Sequence, residues 1–296
     1  MNTVKGVLLL TRWKEYLLFV LPLTLLGPLL SNRADISVFD YRLYAVLIGN
    51  IATVAFAFML NDVEDAEDDK FITAKLVKNP IASGALTKRT GYLLSMSVAL
   101  VAFFAFYYIG GPVFWLGSAN ILLSYLYSSK FVRLKKWPIV DIASHAMMLG
   151  SMLILTSFYT YSSSLDTAGY LVAAAFFISS YGQIYNQLRD FIADKKARLK
   201  NTSILLGKKN ALLLAKLSLV AGIICILIAL SKGIIPWWFL IVAPIVAVFS
   251  FVFKTDKDLS DRKIEFKIGG VQQPGYFAMN AAILIWFVLS VISSSN

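Results

Sequence analysis

The sequence of 296 residues contains one cysteine and one histidine, and only 15% of its residues are charged. A single cysteine excludes a disulfide within the chain and a cysteine-based metal site. The low charge content excludes an ordinary soluble domain, in which about a quarter of the residues are charged. Apolar residues take that place: 58% of the chain is hydrophobic, and the mean hydropathy is +0.70. The composition therefore predicts an integral membrane protein.

About nine apolar stretches are long enough to cross a bilayer as helices of roughly 20 residues. They are residues 15–31, 43–60, 91–110, 112–128, 139–161, 167–189, 211–230, 235–253 and 274–293. The first stretch lacks a small-residue cleavage pattern, so we expect a retained helix and not a signal peptide. Because no linker or low-complexity segment interrupts the chain, we expect a single transmembrane domain over residues 1–296.

The net charge of +11 comes from 28 Lys and Arg residues against 17 Asp and Glu residues. If the N-terminus is cytoplasmic and the chain crosses about nine times, nearly all basic residues lie in cytoplasmic segments. The outer segments then contain only Arg33, Arg42 and Lys232. Membrane proteins generally orient so that the loops rich in Lys and Arg stay in the cytoplasm. We therefore expect a cytoplasmic N-terminus and no nucleic-acid partner.

An acidic segment directly follows the second apolar stretch. Residues 61–69, with the sequence NDVEDAEDD, contain six carboxylates within nine residues. A spacing of four residues places Asn61, Asp65 and Asp69 on one face of a helix. Asp62 borders that face. The segment therefore offers a ladder of oxygen atoms at the cytoplasmic end of a helix.

A second acidic segment repeats this spacing at the end of the sixth apolar stretch, with Asn186, Asp190 and Asp194. We expect these three side chains to share one face of a continuous helix in the same way. Within the first segment, by contrast, Glu64 and Asp68 point sideways from the working face. Helical phase therefore predicts that Glu64 and Asp68 are dispensable.

Carboxylates one helical turn apart repel one another, and they are costly to desolvate beside a bilayer. A bound cation would relieve both penalties. Because the ligands are carboxylate and amide oxygens, without thiol or imidazole, they favour Mg²⁺ or Ca²⁺. Mg²⁺ takes one or two carboxylates and shares its other positions with water and phosphate oxygens. Many Lys and Arg residues occupy the same loops, and the combination favours an isoprenyl diphosphate held at the membrane surface.

These segments resemble the UbiA superfamily of intramembrane prenyltransferases. The first motif of that family, NDxxDxxxD, is matched from Asn61 to Asp69, and the second, DxxxD, at Asp190 and Asp194. The sequence Pro-Ile-Ala-Ser-Gly after Asn79 is similar to the family's NRPIPSG segment. Where the family has an arginine before the proline, this chain has Asn79. The resemblance covers nearly the whole chain in the expected order.

The resemblance implies an all-α membrane protein with about nine transmembrane helices around a central cavity, whose active site faces the cytoplasm. It implies Mg²⁺-dependent transfer of a prenyl group from a polyprenyl diphosphate to a lipophilic acceptor, aromatic or isoprenoid, with release of diphosphate. Asp65 and Asp190 are the implied catalytic residues. The implied metal-binding residues are Asn61, Asp62, Asp65, Asp69, Asn186, Asp190 and Asp194. The implied diphosphate-binding residues are Lys70, Lys130, Arg133 and Lys195.

Similar sequences follow the two acidic segments. The sequence NPIASG begins at Asn79 after the first segment, and NTSILLG begins at Asn201 after the second. Each resembles a helix end, a loop and the start of a new helix. We take internal duplication as a hypothesis.

The sole histidine, His145, follows Asp141 by four residues, so both belong to one predicted helix face. Such a pair fits a catalytic base or an acceptor-binding role. It equally fits a structural polar contact between helices. Both interpretations stay open on the sequence.

Two other functions are compatible with the acidic segments. In a membrane terpene synthase, the same site would ionise the prenyl diphosphate, and the cation would cyclise without an external acceptor. In a divalent-cation transporter, the carboxylates would be the ion site, although transporter sites usually lie near the bilayer midplane on broken helices. Products formed from prenyl diphosphate alone would separate the terpene synthase from the transferase.

Overall fold

The computed structural model describes residues 3–31, 40–70, 73–165, 168–196, 199–241 and 266–294, and this part of the chain contains helices and no strand. The α-helices are α1 (Thr3–Thr11), α2 (Trp13–Leu30), α3 (Tyr41–Asp69), α4 (Thr73–Lys78), α5 (Lys88–Ile109), α6 (Gly111–Ser128), α7 (Val140–Ala146), α8 (Met152–Tyr159), α9 (Gly169–Arg189), α10 (Phe191–Lys196), α11 (Thr202–Ser231) and α12 (Phe266–Ser294). A 3₁₀ turn at Leu134–Lys136 precedes α7. The prediction of an all-α protein is confirmed.

Five of the described helical segments are long and apolar enough to cross a bilayer: α2, α3, α5, α7 together with α8, and α11. Helices α6 and α9 coincide with the predicted stretches 112–128 and 167–189, and α9 includes inward polar residues such as Gln183. Most of the stretch predicted at 235–253 lies outside the described residues. The protein is an integral membrane protein, and its nine crossings stay a prediction.

Helix α2 contains two prolines, and the second shows how the bundle accommodates them. Pro28 has no N–H, so the carbonyl of Thr24 lacks its usual donor within the helix. Ser157 of α8 donates its hydroxyl to that carbonyl instead. Gly27 permits the approach, because a Cβ at this position would collide with Ser157. A neighbouring helix thus satisfies the carbonyl that the proline leaves unpaired, as is common in membrane bundles.

A buried polar network fixes α3, the helix that ends in the first acidic segment. Asn50 of α3 donates to Thr24 Oγ1 of α2 and to the Leu153 carbonyl of α8, both at 3.0 Å. Thr156 Oγ1 donates to Asn50 Oδ1 at 2.8 Å. Breaking any of these bonds would leave an unpaired polar group in an apolar interior, which is costly. The network therefore fixes the positions of α2, α3 and α8 relative to one another.

A π-helical turn at Met147–Ser151 separates α7 from α8. Within it, Gly150 lies against the backbone of α9, where a Cβ would come 2.8 Å from the Ala175 carbonyl oxygen. Such turns are frequent at functional sites because they redirect side chains within a helix. Here Met148, Leu149 and Gly150 line the internal cavity.

Candidate active site

The first acidic segment ends α3, which runs without a break to Asp69. Asp65 accepts hydrogen bonds from Arg133 at 2.8 Å and from Lys135 at 2.6 Å. The same Lys135 ammonium donates to Asn61 Oδ1 at 2.8 Å, one helical turn earlier. Asn61 and Asp65 therefore share a face, and two cations from the loop between α6 and α7 cover it.

Burial and nearby carboxylates set the charge of these two cations. The Lys135 side chain is only 14% exposed, and burial lowers the pKa of its ammonium while Asp65 opposes that shift. Burial also works against the charge of Arg133, yet Asp68 and Asp65 raise the pKa of its guanidinium. The prediction from the sequence names Arg133 as a diphosphate contact and counts Lys135 only among the basic residues of the loops. The loop itself brings Lys135 inward, through a left-handed residue at Arg133 (φ 54°) and the 3₁₀ turn that follows.

Asp62 faces a different cation. It is buried, and its Oδ1 accepts a hydrogen bond from Arg12 at 3.0 Å. Its Oδ2 is buried without a hydrogen-bond partner in the described part of the chain. Arg12 lies between α1 and α2, stands 4.9 Å from the Phe58 ring centre and lines the cavity. Arg12 is thus a second cation beside the first acidic segment that the prediction from the sequence does not name.

Asp69 is buried at the end of α3 and accepts a hydrogen bond from Asn79 Nδ2 at 3.0 Å. The same nitrogen donates to the Asp62 carbonyl at 2.7 Å, and Asn79 Oδ1 accepts from the N–H groups of Ile81 and Ala82. Asn79 stands where the resembling family has an arginine. In this protein it positions a carboxylate and caps a turn, and presents no cation.

The two carboxylates expected to be dispensable differ from each other. Glu64 is buried and accepts a hydrogen bond from Tyr92 of α5 at 2.5 Å, which makes it a contact between helices. Asp68 is exposed, but Arg133 donates to it at 2.7 Å while also contacting Asp65. Helical phase places Asp68 off the working face. A long arginine side chain nevertheless connects it to that face.

The second acidic segment does not lie on one continuous helix, which corrects the expectation from its spacing. Helix α9 ends at Arg189, Asp190 follows with φ −90° and ψ 4°, and α10 begins at Phe191. Backbone bonding nevertheless continues across the junction. The Asp190 N–H donates to the Asn186 carbonyl at 3.0 Å, and the Asp194 N–H donates to the Asp190 carbonyl at 2.9 Å. A single residue in the bridge region of the Ramachandran plot therefore bends the chain without losing the four-residue repeat.

The ends of both segments are held in the same way. Asp194 is buried and accepts a hydrogen bond from Asn201 Nδ2 at 2.8 Å, as Asp69 does from Asn79. A glycine with positive φ, at 76° and 74°, follows each asparagine, at Gly84 and Gly207 respectively. The repeated contact supports the hypothesis of internal duplication.

A cavity of about 840 Å³ lies between the helices. Asn61 of the first segment and Asn186 of the second both line it. Charged residues near the helix ends also line it, namely Arg12, Lys14, Glu15 and Arg189. Most of the remaining wall is apolar and comes from α2, α8, α9, α11 and α12. The leading asparagines of the two acidic segments therefore share one cavity, and an apolar chamber adjoins them.

Asp141 and His145 are both on α7 but have different surroundings. Asp141 is fully buried, and its carboxylate accepts hydrogen bonds from Gln187 of α9 at 2.7 Å and from the Thr202 N–H of α11 at 2.8 Å. His145 lines the cavity, and its Nδ1 lies 3.4 Å from Ser179 Oγ. Asp141 is therefore a structural contact between helices, whereas His145 faces the cavity.

The other cations implied as diphosphate contacts are exposed. Lys70 pairs with Glu67 at 3.4 Å, and Lys130 and Lys195 have exposed side chains. Of the four implied contacts, the structure brings Arg133 against Asp65. The three lysines contribute positive charge around the acidic helix ends, which attracts an anionic head group.

The donor atoms fit a metal ion that is shared with a ligand. Across the described residues, no three His, Cys, Asp or Glu side chains come close enough to hold an ion by themselves. The atoms present are amide and carboxylate oxygens, which Mg²⁺ prefers, and the buried Asp62 Oδ2 lacks a partner within the described ranges. Mg²⁺ is usually held by one or two carboxylates together with substrate phosphates. The site therefore fits Mg²⁺ in the company of a phosphate group.

Acidic helix ends, the cations beside them and an adjoining apolar chamber define a class of protein. It is a membrane protein with a charged site at the ends of its helices and an apolar cavity beside that site. The chain matches the model of the UbiA prenyltransferase family over residues 20–271, and it belongs to that family. The protein is accordingly a membrane prenyltransferase.

Individual members of known function or structure have low sequence identity to this chain. The digeranylgeranylglyceryl phosphate synthase of Thermococcus sibiricus is 25% identical over 233 residues, which cover 79% of each chain. The protein of the same name from Pyrococcus horikoshii is 23% identical over 181 residues, and the match spans 60% of this chain but only 62% of that protein. A UbiA homologue from Archaeoglobus fulgidus, solved bound to GPP and Mg²⁺, superposes with a TM-score of 0.72 at 18% identity. This match covers 97% of this chain and 99% of the homologue, and it shows a shared fold.

Proposed function

We propose that the protein catalyses the Mg²⁺-dependent transfer of a prenyl group from a polyprenyl diphosphate to a lipophilic acceptor, aromatic or isoprenoid, and releases diphosphate. The observation that carries this proposal is that Asn61 and Asn186, which lead the two acidic segments, line the same cavity. The relatives support it, because two are named as digeranylgeranylglyceryl phosphate synthases and a homologue was solved with GPP and Mg²⁺.

We assign the donor's diphosphate to the space between the two acidic helix ends, with Asp65 and Asp190 as the catalytic carboxylates. The proposed metal-binding residues are Asn61, Asp62, Asp65, Asp69, Asn186, Asp190 and Asp194. Mg²⁺, when bound, would neutralise phosphate charge and make diphosphate a better leaving group. Arg133 and Lys135, already fixed beside Asp65, would donate to phosphate oxygens, and Lys70, Lys130 and Lys195 would add positive charge.

The bond that breaks joins C1 of the prenyl chain to a diphosphate oxygen, and both electrons leave with the diphosphate. Negative charge grows on that oxygen, where fixed cations stabilise it without having to reorganise. The allylic cation that remains lies in the apolar chamber, whose walls exclude water. Phe58 and Tyr127 line this cavity, and their ring faces attract a cation. The acceptor then bonds to C1 and loses a proton.

We also propose that the chain crosses the membrane nine times as a single domain over residues 1–296, with its N-terminus and active site facing the cytoplasm. The distribution of basic residues supports this orientation, because only Arg33, Arg42 and Lys232 fall in outer segments. Cysteine-accessibility labelling at Ser31 and at Phe131, which is 95% exposed in the loop between α6 and α7, tests it. We expect labelling of these two sites from opposite sides of the membrane.

The central experiment is a product screen with purified protein and Mg²⁺. Prenyl diphosphates of increasing length are offered together with quinone precursors, tetrapyrroles, carotenoids or glycerol-phosphate lipids, and products are read by mass spectrometry. We expect one prenylated acceptor for each diphosphate released, no reaction with EDTA, and recovery when Mg²⁺ is restored. A cyclic hydrocarbon formed without any acceptor would contradict the transferase and establish the terpene synthase. Membership of a prenyltransferase family decides against the cation transporter.

A further inference from the structure

One histidine side chain lines the cavity and keeps a free ring nitrogen. His145 of α7 is the only histidine of the chain, lines the cavity and is partly exposed. Its Nδ1 lies 3.4 Å from Ser179 Oγ of α9. Its Nε2 forms no hydrogen bond with a described residue, yet it is not one of the buried side-chain atoms that lack a partner. Nε2 therefore keeps accessible surface, and the space that it faces is the cavity.

The contact with Ser179 sets the direction of this free nitrogen. The two ring nitrogens of histidine point in different directions, so a ring whose Nδ1 faces α9 turns its Nε2 away from that helix. A serine hydroxyl can both donate and accept, and Ser179 can therefore bond to Nδ1 whether or not Nδ1 carries a proton. When Nε2 takes up a proton, only the hydroxyl has to rotate. The pair thus accommodates both the neutral and the protonated imidazole.

The depth of His145 in the cavity matches that of the reacting carbon. Ser179, its contact on α9, precedes Asn186 by seven residues, which is roughly 10 Å of helix. His145 therefore lies about two helical turns deeper than Asn186, which leads the second acidic segment. A prenyl chain whose diphosphate is bound between Asn61 and Asn186 would bring its C1, and the acceptor beside it, to this level.

The other titratable residues of the described cavity wall are less suited to take up a proton. Three of them are cations that already carry their protons, namely Arg12, Lys14 and Arg189. Glu15 is ion-paired with Arg12, and Tyr127 accepts a hydrogen bond from Gln183 at 2.9 Å. A neutral imidazole nitrogen is the most common proton acceptor of enzymes near pH 7. Among the described residues that line the cavity, His145 alone offers one.

We infer that His145 is the base of the proposed prenyl transfer and that its Nε2 accepts the proton lost by the acceptor. This inference rests on the proposed function, which supplies the allylic cation and the acceptor. An electron pair of the acceptor forms the bond to C1. The acceptor's bond to hydrogen then breaks, its two electrons stay with the acceptor, and the proton goes to Nε2. The imidazolium passes that proton to solvent as the products leave.

The first test uses the fact that the chain has one histidine and needs no acceptor. Protein made without a histidine tag and labelled with ¹⁵N-histidine gives one imidazole in a nitrogen NMR spectrum. Geranylgeranyl thiodiphosphate, an unreactive donor analogue, is added with Mg²⁺ near neutral pH. We expect a neutral ring with its proton on Nδ1, and a larger shift of the Nε2 signal than of the Nδ1 signal. A proton on Nε2 in the complex, or an unchanged signal, would overturn the inference.

The second test measures turnover in His145→Ala, with geranylgeranyl diphosphate and each acceptor that yields a product in the screen described above. We expect kcat to fall at least about a hundredfold, as is typical when a positioned base is removed, and KM for the donor to stay similar. Added imidazole should restore part of the rate. Pyrazole, a ring of the same size but a much weaker base, should not. Equal rescue by both rings would indicate a packing role and contradict the inference, as would rescue by neither.

Two further variants separate a base from a structural contact. His145→Gln keeps a polar side chain beside Ser179 but has no basic nitrogen, so we expect it to be as slow as His145→Ala. Ser144→Ala changes the neighbouring residue of α7, whose hydroxyl donates to the Val140 carbonyl of the same helix, and should keep wild-type activity. Near-normal kcat in His145→Gln would show that His145 is not the base.

Failure of the inference and failure of the proposed function give different signals. If only the inference fails, the thiodiphosphate still binds with Mg²⁺ and the wild-type protein still forms a prenylated acceptor. If the proposed function fails, the thiodiphosphate does not bind and no prenylated acceptor is formed by any variant. Calorimetry with the analogue and mass spectrometry of the wild-type products distinguish the two cases.

Discussion

The two acidic segments have the same spacing in sequence but different settings in the structure. Asp65 of the first lies on an unbroken helix under Arg133 and Lys135, and only 18% of its side chain is exposed. Asp190 of the second lies at a junction between two helices, is 31% exposed and has Arg189 Nε at 3.4 Å. One segment presents a carboxylate already held by two cations, and the other presents a more open one.

From this comparison we propose a division of labour within one site. Where carboxylate, lysine and arginine are already fixed together, a diphosphate meets cations that need little reorganisation. Where the carboxylate is more exposed, a hydrated Mg²⁺ has more room to approach. Duplication of a sequence pattern therefore does not imply duplication of a role.

The largest effects are expected at the two proposed catalytic carboxylates. Asp65→Asn and Asp190→Asn preserve shape but remove charge, and we expect each to lower kcat by at least about a hundredfold, since electrostatic stabilisation is the main contribution of such groups. Diphosphate release under saturating donor and Mg²⁺ measures this. Glu67→Gln, at an exposed position paired with Lys70, is the matched control and should keep near-normal activity. Near-normal turnover in Asp190→Asn would remove that residue from the metal site.

The next largest effect compares two lysines of the loop between α6 and α7, which lies against the first acidic segment. Lys135 contacts both Asn61 and Asp65, whereas Lys130 is exposed. We expect Lys135→Met to lower kcat/KM for the donor by about tenfold to a hundredfold, because a charged hydrogen bond is lost. Lys130→Met should cause a smaller fall. If the order is reversed, the diphosphate lies nearer to Lys130 than the geometry of the loop indicates.

A third effect concerns stability and compares the two asparagines that hold the ends of the segments. Asn79 contacts Asp69, the Asp62 carbonyl and two backbone N–H groups, whereas Asn201 contacts Asp194 and one N–H group. Each buried group left unpaired costs about 1–3 kcal/mol. We therefore expect Asn79→Ala to lower the Tm in detergent more than Asn201→Ala does. An equal loss would mean that the extra contacts of Asn79 contribute little.

Features that depend on local spacing could be predicted from the sequence. The helical character of the chain and the shared face of Asn61 and Asp65 follow from apolar runs and a four-residue repeat. Contacts between distant residues could not be predicted in this way. The Arg12–Asp62 pair and the Asn280–Leu18 pair join separate helices, and only packing brings them together.

The break at Asp190 shows a second limit of prediction from the sequence. A single residue outside helical geometry interrupts the helix but leaves the sequence pattern unchanged. Lys130 and Lys135 show a third limit of such prediction. Both are lysines of one basic loop, and the backbone conformation at Arg133 decides which of them turns inward. Periodicity along a helix therefore predicts faces, whereas loop conformation and helix packing select the partners.

The smallest effects are expected at the carboxylates that helical phase places off the working face. Asp68 is 59% exposed, and exposed ion pairs contribute about 0–1 kcal/mol, so we expect Asp68→Asn to change kcat/KM by at most about fivefold. Glu64→Gln should leave kcat/KM unchanged, because Tyr92 can still donate to the amide oxygen. Steady-state kinetics with the donor varied measures both. A loss at Glu64→Gln as large as at Asp65→Asn would show that α3 turns a different face to the substrate, since Glu64 and Asp65 cannot both lie against the same ligand on a straight helix.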